Sequence, residues 1–127
     1  MKDDAGRFLP LSPATLHILL ALAGEELHGY GIMQEVARQS ESRYKLGPGT
    51  LYDNLQRMLA QGLVQEVARR AANRASNDDP RRRYYGLTPA GRAAARDEAR
   101  RLQRLADMAR SKRLLPALRP SSAPKES

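Results

Sequence analysis

The sequence of 127 residues contains no cysteine, no tryptophan and a single phenylalanine. Without thiols it cannot form disulfides, thiolate metal sites or thiol-based redox sensors. No apolar run is long enough to span a bilayer, and the first residues lack the apolar core of a signal peptide. We therefore expect a cytoplasmic protein with no membrane partner.

Catalytic and metal-binding patterns are also missing from the sequence. The two histidines, His17 and His28, have no acidic or sulfur partner grouped with them, and His28 stands where it can cap or pack against a helix start. No nucleophile–base pair and no phosphate-binding glycine loop is present. We expect no enzyme, no metal and no cofactor.

Positive charge is plentiful. Lysine and arginine number 22 against 14 aspartates and glutamates, which gives a formal net charge of +8. A surplus of this size is typical of proteins with a polyanionic partner such as nucleic acid. Basic tails and solvated helix faces produce the same surplus, so charge alone does not decide the function.

Two capping signals mark the first and last helices. Ser12-Pro13 and Thr88-Pro89 each combine a hydroxyl that can accept from free N–H groups with a proline that suits the first helical position. The first helix is predicted to end near Ala23, before Gly24, and the last to run to about Arg113. Between them we predict a helix from His28-Gly29-Tyr30 to Ser40 and another from Pro48 to Gly62. The buried stripe of this third helix is predicted to be Leu51, Leu55, Met58 and Leu59.

A β-hairpin is predicted between the third and last helices. Its strands are Leu63–Val67 and Tyr84–Leu87, joined by a long loop over 70–80. The fold class is therefore mainly α with a small β-hairpin, in the order of a winged helix-turn-helix. We predict a flexible arm over 1–11, a winged-helix domain over 12–87, a long C-terminal helix over 88–113 and a disordered tail over 114–127.

Two apolar surfaces have too little to cover within one small domain. The first helix is apolar around most of its circumference, and the last helix carries a stripe at coiled-coil spacing. We expect these surfaces to meet in a homodimer. The predicted interface residues are Leu16, Leu19, Leu20, Ala95, Ala99, Leu102, Leu105, Ala106 and Ala109.

Four local motifs resemble the PadR family of transcriptional regulators in its short form. They are Leu27-His28-Gly29-Tyr30, Gly47 to Tyr52, Gly62-Leu63, and Arg81 to Thr88 with Gly91, in the family's order and spacing over roughly 12–92. The resemblance implies a winged-helix dimer that represses promoters and often releases DNA when a small molecule binds. It also implies that the helix after the wing is the dimerisation helix.

The third helix is the predicted recognition helix, because the first turns of such a helix reach base edges in the major groove. Its predicted contact residues are Pro48, Gly49, Thr50, Tyr52 and Asn54, and Lys45, Arg57 and Tyr30 are placed for phosphates. The alternative is that Pro48 and Thr50 only start the helix and that Tyr52 and Tyr30 are partly core.

The predicted wing concentrates positive charge. Residues 69–83 contain six arginines and two aspartates. An arginine on a hairpin can enter the minor groove or bind phosphate. We expect Arg81, Arg82 and Arg83 to contact DNA as a group, although strand alternation sends Arg82 and Arg83 to opposite faces. The row Arg92, Arg96, Arg100 and Arg104 on the last helix is better explained as a solvated face.

Some features leave the function open. Asp53 lies on the outward face of the third helix, where it would repel phosphates unless it accepts from a cytosine amino group or points away. A winged-helix module that binds protein rather than specific DNA is therefore the alternative to a repressor. The resemblance also allows for a small-molecule effector at the dimer interface, which would meet a leucine- and alanine-lined pocket in this chain.

Overall fold

The computed structural model describes residues 9–68 and 82–118. Within these two ranges, four helices and three short strands follow one another. They are α1 (Pro13–Gly24), β1 (Leu27–His28), α2 (Gly29–Gln39), α3 (Pro48–Ala60), β2 (Val64–Val67), β3 (Tyr84–Leu87) and α4 (Pro89–Ser111). The predicted loop over 70–80 lies outside the described residues, as do residues 1–8 of the predicted arm and 119–127 of the predicted tail.

The capping signals form as predicted. The Ser12 hydroxyl accepts the N–H of Thr15 at 3.2 Å, and the Thr88 hydroxyl accepts the N–H of Gly91 at 3.0 Å. The imidazole Nδ1 of His28 accepts the N–H of Gly31 at 3.1 Å, so His28 caps α2. Each of these groups satisfies one of the donors that a helix start leaves without an intrahelical partner.

The strands form one antiparallel sheet in the order β1-β3-β2. The two predicted strands of the hairpin are confirmed, and Val64 pairs with Leu87 while Val67 pairs with Tyr84. The additional strand β1 pairs His28 with Tyr84 on the free edge of β3. Two residues are too few to show an alternating pattern, so only tertiary pairing reveals this strand.

The core lies between the sheet and the helices. Three residues of the predicted apolar stripe of α3 are confirmed as buried, since Leu51, Leu55 and Met58 are at most 1% exposed. The fourth, Leu59, is half-buried and packs against this core. Ile18 of α1 and Ile32 of α2 are fully buried in the same cluster. The opposite face of α3 is therefore exposed to solvent.

A buried carboxylate in the middle of α4 accepts a hydrogen bond from the backbone just before α1. Glu98 is 1% exposed, and its carboxylate accepts from Arg101 at 2.6 and 2.9 Å and from the backbone N–H of Leu11 at 3.1 Å. The hydrogen bonds from Arg101 hold the pKa of Glu98 below its usual value; burial opposes this shift and the Leu11 N–H supports it. No local sequence pattern indicates this connection, because Leu11 and Glu98 are 87 residues apart.

Two of the predicted interface residues belong instead to the core of their own chain. Leu19 has no exposed surface and Ala95 is 8% exposed. A side chain without exposed surface has none to lose on association, so Leu19 is removed from the predicted dimer interface and Ala95 can contribute little. Most of the apolar circumference of α1 is buried against α2, α3, α4 and β3 within the same chain, whereas Leu20 stays 43% exposed.

No helix in the described ranges combines the length and apolarity needed to cross a membrane. Within the same ranges, no three histidine, aspartate or glutamate side chains are grouped so that they could hold a metal ion.

Candidate nucleic-acid interface

The first turn of α3 is presented to solvent. Pro48, Gly49 and Thr50 are all exposed, and the residues on the other side of the helix are buried. A Cβ atom built on Gly49 would meet no atom within 4 Å. The backbone at this position is therefore free to approach a large partner closely.

Tyr52 connects α3 to the beginning of α2. Its side chain is 47% exposed, and its hydroxyl packs against the backbone of Gly29 so closely that no Cβ would fit there. The ring is thus held between the two helices, and one side stays open to solvent. Neighbouring Tyr30 is 57% exposed at the start of α2.

Asn54 does not belong to the exposed surface, contrary to the expectation that it contacts DNA. It is 7% exposed, its amide donates to the Thr50 carbonyl at 2.8 Å, and its amide oxygen accepts from Thr15 at 3.3 Å and from Arg57 at 3.2 Å. These bonds join α3 to the start of α1. Asn54 is a structural residue here because its polar atoms are used within the chain.

The two described wing arginines diverge, as strand alternation predicts. Arg82 lies with its guanidinium 3.1 Å from His28 Nε2, beside the start of α2. Arg83 donates to Glu66 on β2 at 3.2 Å, and both partners of this ion pair are substantially exposed. Arg81 lies outside the described residues.

One cleft brings these elements together. It has a volume of about 320 Å³ and its walls come from α2, α3 and the strand side of the wing. Its lining residues are His28, Gly29, Tyr30, Tyr52, Arg82, Arg83 and Tyr85. Burial raises the pKa of the Tyr85 hydroxyl, and the nearby Glu66 acts in the same direction, so this phenol stays neutral.

The charges around this surface are mostly positive. Lys45 in the turn before α3 and Arg57 on α3 are exposed, as are Arg82 and Arg83. Asp53 is exposed on the same helix, and no hydrogen bond or ion pair joins it to another described residue. The surface therefore offers cationic groups at its edges and a single carboxylate on the helix between them.

Two residues of this surface, His28 and Glu66, were not predicted to belong to it. His28 was assigned only to capping or packing, although its place directly before Gly29-Tyr30 put it next to a predicted contact residue. Glu66 carried no such signal, since its position opposite Tyr85 depends on the strand register.

The helices α2 and α3, joined by a short turn and followed by the antiparallel sheet, define a winged helix-turn-helix protein with an additional C-terminal helix. Residues 18–97 match the Transcriptional regulator PadR-like family. The chain belongs to this family, whose members are transcriptional regulators and not enzymes.

Similar proteins agree with this assignment. Over 91 residues the chain is 43% identical to the Transcriptional regulator Rv3488 of Mycobacterium tuberculosis. The matched region is 72% of this chain and 77% of that protein. A PadR family transcription regulator from Clostridium difficile superposes with a TM-score of 0.64 at 22% identity, over 79% of this chain and 97% of that one. Bacillus subtilis PadR, solved with operator DNA, superposes with a TM-score of 0.55 at 16% identity, over 92% of this chain and 54% of that one. At these identities the two structures support the fold alone.

Proposed function

We propose that this chain is a sequence-specific DNA-binding repressor that acts in the cytoplasm as a homodimer on a near-palindromic operator. The observation that carries the proposal is the exposed first turn of α3 beside a cleft lined by Tyr30, Tyr52 and Arg82. A helix with one free face and cationic neighbours suits the major groove, where its first turns reach base edges.

The contacts divide into two kinds. Pro48, Gly49 and Thr50 face the bases, and Tyr52 lies at the edge of this group. Lys45, Arg57 and Tyr30, together with the wing residues Arg81, Arg82 and Arg83, contact the backbone phosphates or the minor groove. To bind a phosphate, Arg83 must break its ion pair with Glu66. This costs little, because the pair is exposed and therefore weak. Asn54 is left out of the proposed contacts because it is buried.

The homodimer is proposed from the second half of α4. The buried residues of this helix, Gly91, Ala94, Ala95 and Glu98, all lie in its first ten positions. Beyond them Leu102, Leu105 and Met108 are 40%, 50% and 55% exposed. Together with Leu16, Leu20, Ala99, Ala106 and Ala109, these side chains form an apolar surface that a second copy would cover.

Titration of a DNA duplex with the protein at several salt concentrations tests the proposal. Each phosphate contact releases counterions, so the logarithm of affinity should fall linearly with the logarithm of salt concentration. A sequence selected from a random pool should bind at least ~1000-fold tighter than an arbitrary duplex. Affinity that does not depend on salt would reject the proposal.

A protein-binding module is the second candidate, and the exposed carboxylate of Asp53 on α3 favours it. It predicts one stoichiometric protein partner and no preferred DNA site.

For the repressor we also propose a small-molecule effector that enters a leucine- and alanine-lined pocket at the dimer interface. Calorimetry that found tight binding of a large planar cation would contradict such a pocket.

A further inference from the structure

Asn54 is buried, yet it is bonded to one of the cationic side chains of the candidate interface. Its amide oxygen accepts from Nη1 of Arg57 at 3.2 Å and from the Thr15 hydroxyl at 3.3 Å. Its amide nitrogen donates to the carbonyl of Thr50, one turn earlier in α3, at 2.8 Å. Hydrogen bonds at both ends of the amide therefore fix the orientation of this side chain.

The chemistry of its partners allows the amide of Asn54 only this orientation. The carbonyl of Thr50 can only accept, and the guanidinium of Arg57 can only donate, so the amide nitrogen faces the first and the oxygen faces the second. The Thr15 hydroxyl donates to the same oxygen and accepts in turn from the Ser12 hydroxyl at 3.0 Å. Asn54 is thus a fixed acceptor for Arg57.

This acceptor holds the guanidinium of Arg57 toward the start of α3. Asn54 precedes Arg57 by three residues, so the two side chains are neighbours one turn apart on the helix. A long side chain on a helix leans toward the helix N-terminus, which in α3 is the exposed turn over 48–50. The charge of Arg57 is therefore held near the turn that faces the duplex in the proposed complex.

Most of the guanidinium of Arg57 remains available to a ligand. Asn54 engages Nη1, and the side chain is exposed. Within residues 9–68 and 82–118, no other group accepts from Arg57. The edge formed by Nε and Nη2 carries two N–H groups that match two oxygens of a phosphate. Asn54 can therefore hold Arg57 without occupying the donors that a phosphate needs.

We propose that Asn54 is a positioning residue for DNA binding, which holds Arg57 ready for one backbone phosphate. The proposal rests on the proposed DNA-binding function and adds a buried residue to it. Ordering a long side chain at an interface costs free energy on binding, and a side chain that is ordered beforehand avoids most of this cost. Asn54 therefore raises affinity through Arg57, without touching the duplex itself.

Two substitutions separate this role from the structural role of Asn54. Asn54→Ala removes the acceptor of both Arg57 and Thr15, whereas Thr15→Val removes only the bond to α1 and preserves the shape of the side chain. Both variants should be less stable than the parent protein in urea. On a duplex of arbitrary sequence, at a temperature where both are folded, Asn54→Ala should bind about threefold to tenfold more weakly and Thr15→Val within about twofold of the parent protein. An equal loss of affinity in the two variants would overturn the positioning role.

Arginine variants show whether Asn54 acts through Arg57. Arg57→Gln should lower the salt slope by about 0.9, because one phosphate contact is lost, whereas Asn54→Ala keeps the charge and should keep the slope. In the Arg57→Gln background, Asn54→Ala should change affinity by less than about twofold. The same loss in both backgrounds would mean that Asn54 acts independently of Arg57. Arg96→Gln removes a charge from an exposed position on α4 and should change neither affinity nor slope.

The order of Arg57 is measured in the free parent protein, so this test does not depend on the stability of any variant. Nitrogen NMR relaxation should show Nε–H of Arg57 to be more restricted than Nε–H of Arg96, which is exposed and bonds to no other described residue. Equal mobility would overturn the positioning role.

Failure of this proposal is distinguishable from failure of the proposed function. If the parent protein binds the duplex and Arg57→Gln keeps the full salt slope, Arg57 holds no phosphate, the positioning role is wrong and the DNA-binding function stands. A parent protein that binds no duplex at all would overturn both proposals.

Discussion

The backbone of Gly91 packs directly against the carbonyl oxygen of Leu63. The same oxygen accepts the N–H of Thr88 at 3.1 Å, and the Thr88 hydroxyl donates to the carbonyl of Gly62. Gly62 has a φ of +77°, which turns the chain from the end of α3 into β2. The start of α4 is therefore joined to the end of α3 through backbone atoms that cannot move aside like a flexible side chain.

Gly91→Ala should accordingly destabilise the protein by about 1–3 kcal/mol, since the added methyl group would overlap a backbone carbonyl. Gly24→Ala is the matched control, because a Cβ at the end of α1 meets nothing within 4 Å. That variant should be neutral or gain about 0.5–1 kcal/mol. Urea denaturation measures both changes, and equal stability of the two variants would show that α4 is not seated on Leu63 as described.

Asn54→Ala should reduce the free energy of unfolding by about 1–2 kcal/mol, since it leaves polar groups of α1 and α3 without their partner. The order of preference among DNA sequences should stay the same, because Asn54 makes no base contact in the proposed complex. Gln56→Ala, at an exposed position of the same helix, controls for the helix itself. An altered preferred sequence in Asn54→Ala with unchanged stability would restore Asn54 as a base-reading residue.

The contrast between Asn54 and its neighbours shows what the sequence could and could not predict. Helix starts and the buried stripe of α3 follow from local chemistry and spacing, and they were predicted. Whether Asn54 faces outward depends on Thr15, which is 39 residues away and offers it a hydrogen bond. In the same way, β1 is a strand only because β3 lies beside it. Local patterns therefore do not decide whether a polar residue near the edge of an apolar stripe faces the core or the solvent.

Glu98→Gln tests the tie between α1 and α4. The pKa of Glu98 is lowered in the folded state, so its charged form stabilises the fold at pH values above its unfolded pKa, and this stabilisation is lost as the pH falls through the folded pKa. At neutral pH the variant should lose on the order of 2 kcal/mol, because a buried carboxylate that accepts from Arg101 and Leu11 is replaced by a neutral amide.

The difference between Glu98→Gln and the parent protein should shrink below the usual carboxyl pKa. Glu35→Gln is the control, since the pKa of Glu35 is also lowered by hydrogen bonds from an arginine, Arg38, but that ion pair lies at the surface. Its effect at neutral pH should be much smaller. If Glu98→Gln lowers the free energy of unfolding equally at every pH, the negative charge of Glu98 is not what stabilises its contact with Leu11.

Leu105→Glu should convert the proposed dimer into a monomer with unchanged helix content. Leu105 is 50% exposed, so its replacement costs the isolated chain little, whereas a carboxylate inside an apolar interface is strongly unfavourable. Arg104→Gln changes the net charge by the same amount at the adjacent exposed position and should leave the dimer intact. Sedimentation equilibrium distinguishes the two, and a dimer that survives Leu105→Glu would place the contact elsewhere.

Gly49→Ala adds a single methyl group, which should affect stability and DNA affinity in different ways. In the free protein this methyl group meets nothing within 4 Å, so the variant should be as stable as the parent or gain about 0.5–1 kcal/mol from the better helix former. In the proposed complex the first turn of α3 lies against the duplex, and the methyl group would occupy space that the DNA needs. We therefore expect affinity to fall at least ~10-fold while thermal stability holds or rises, since misfitting atoms at a close-packed contact cost a few kcal/mol. If Gly49→Ala binds the selected site as tightly as the parent protein, the start of α3 stands away from the DNA and the reading surface must begin further along the helix.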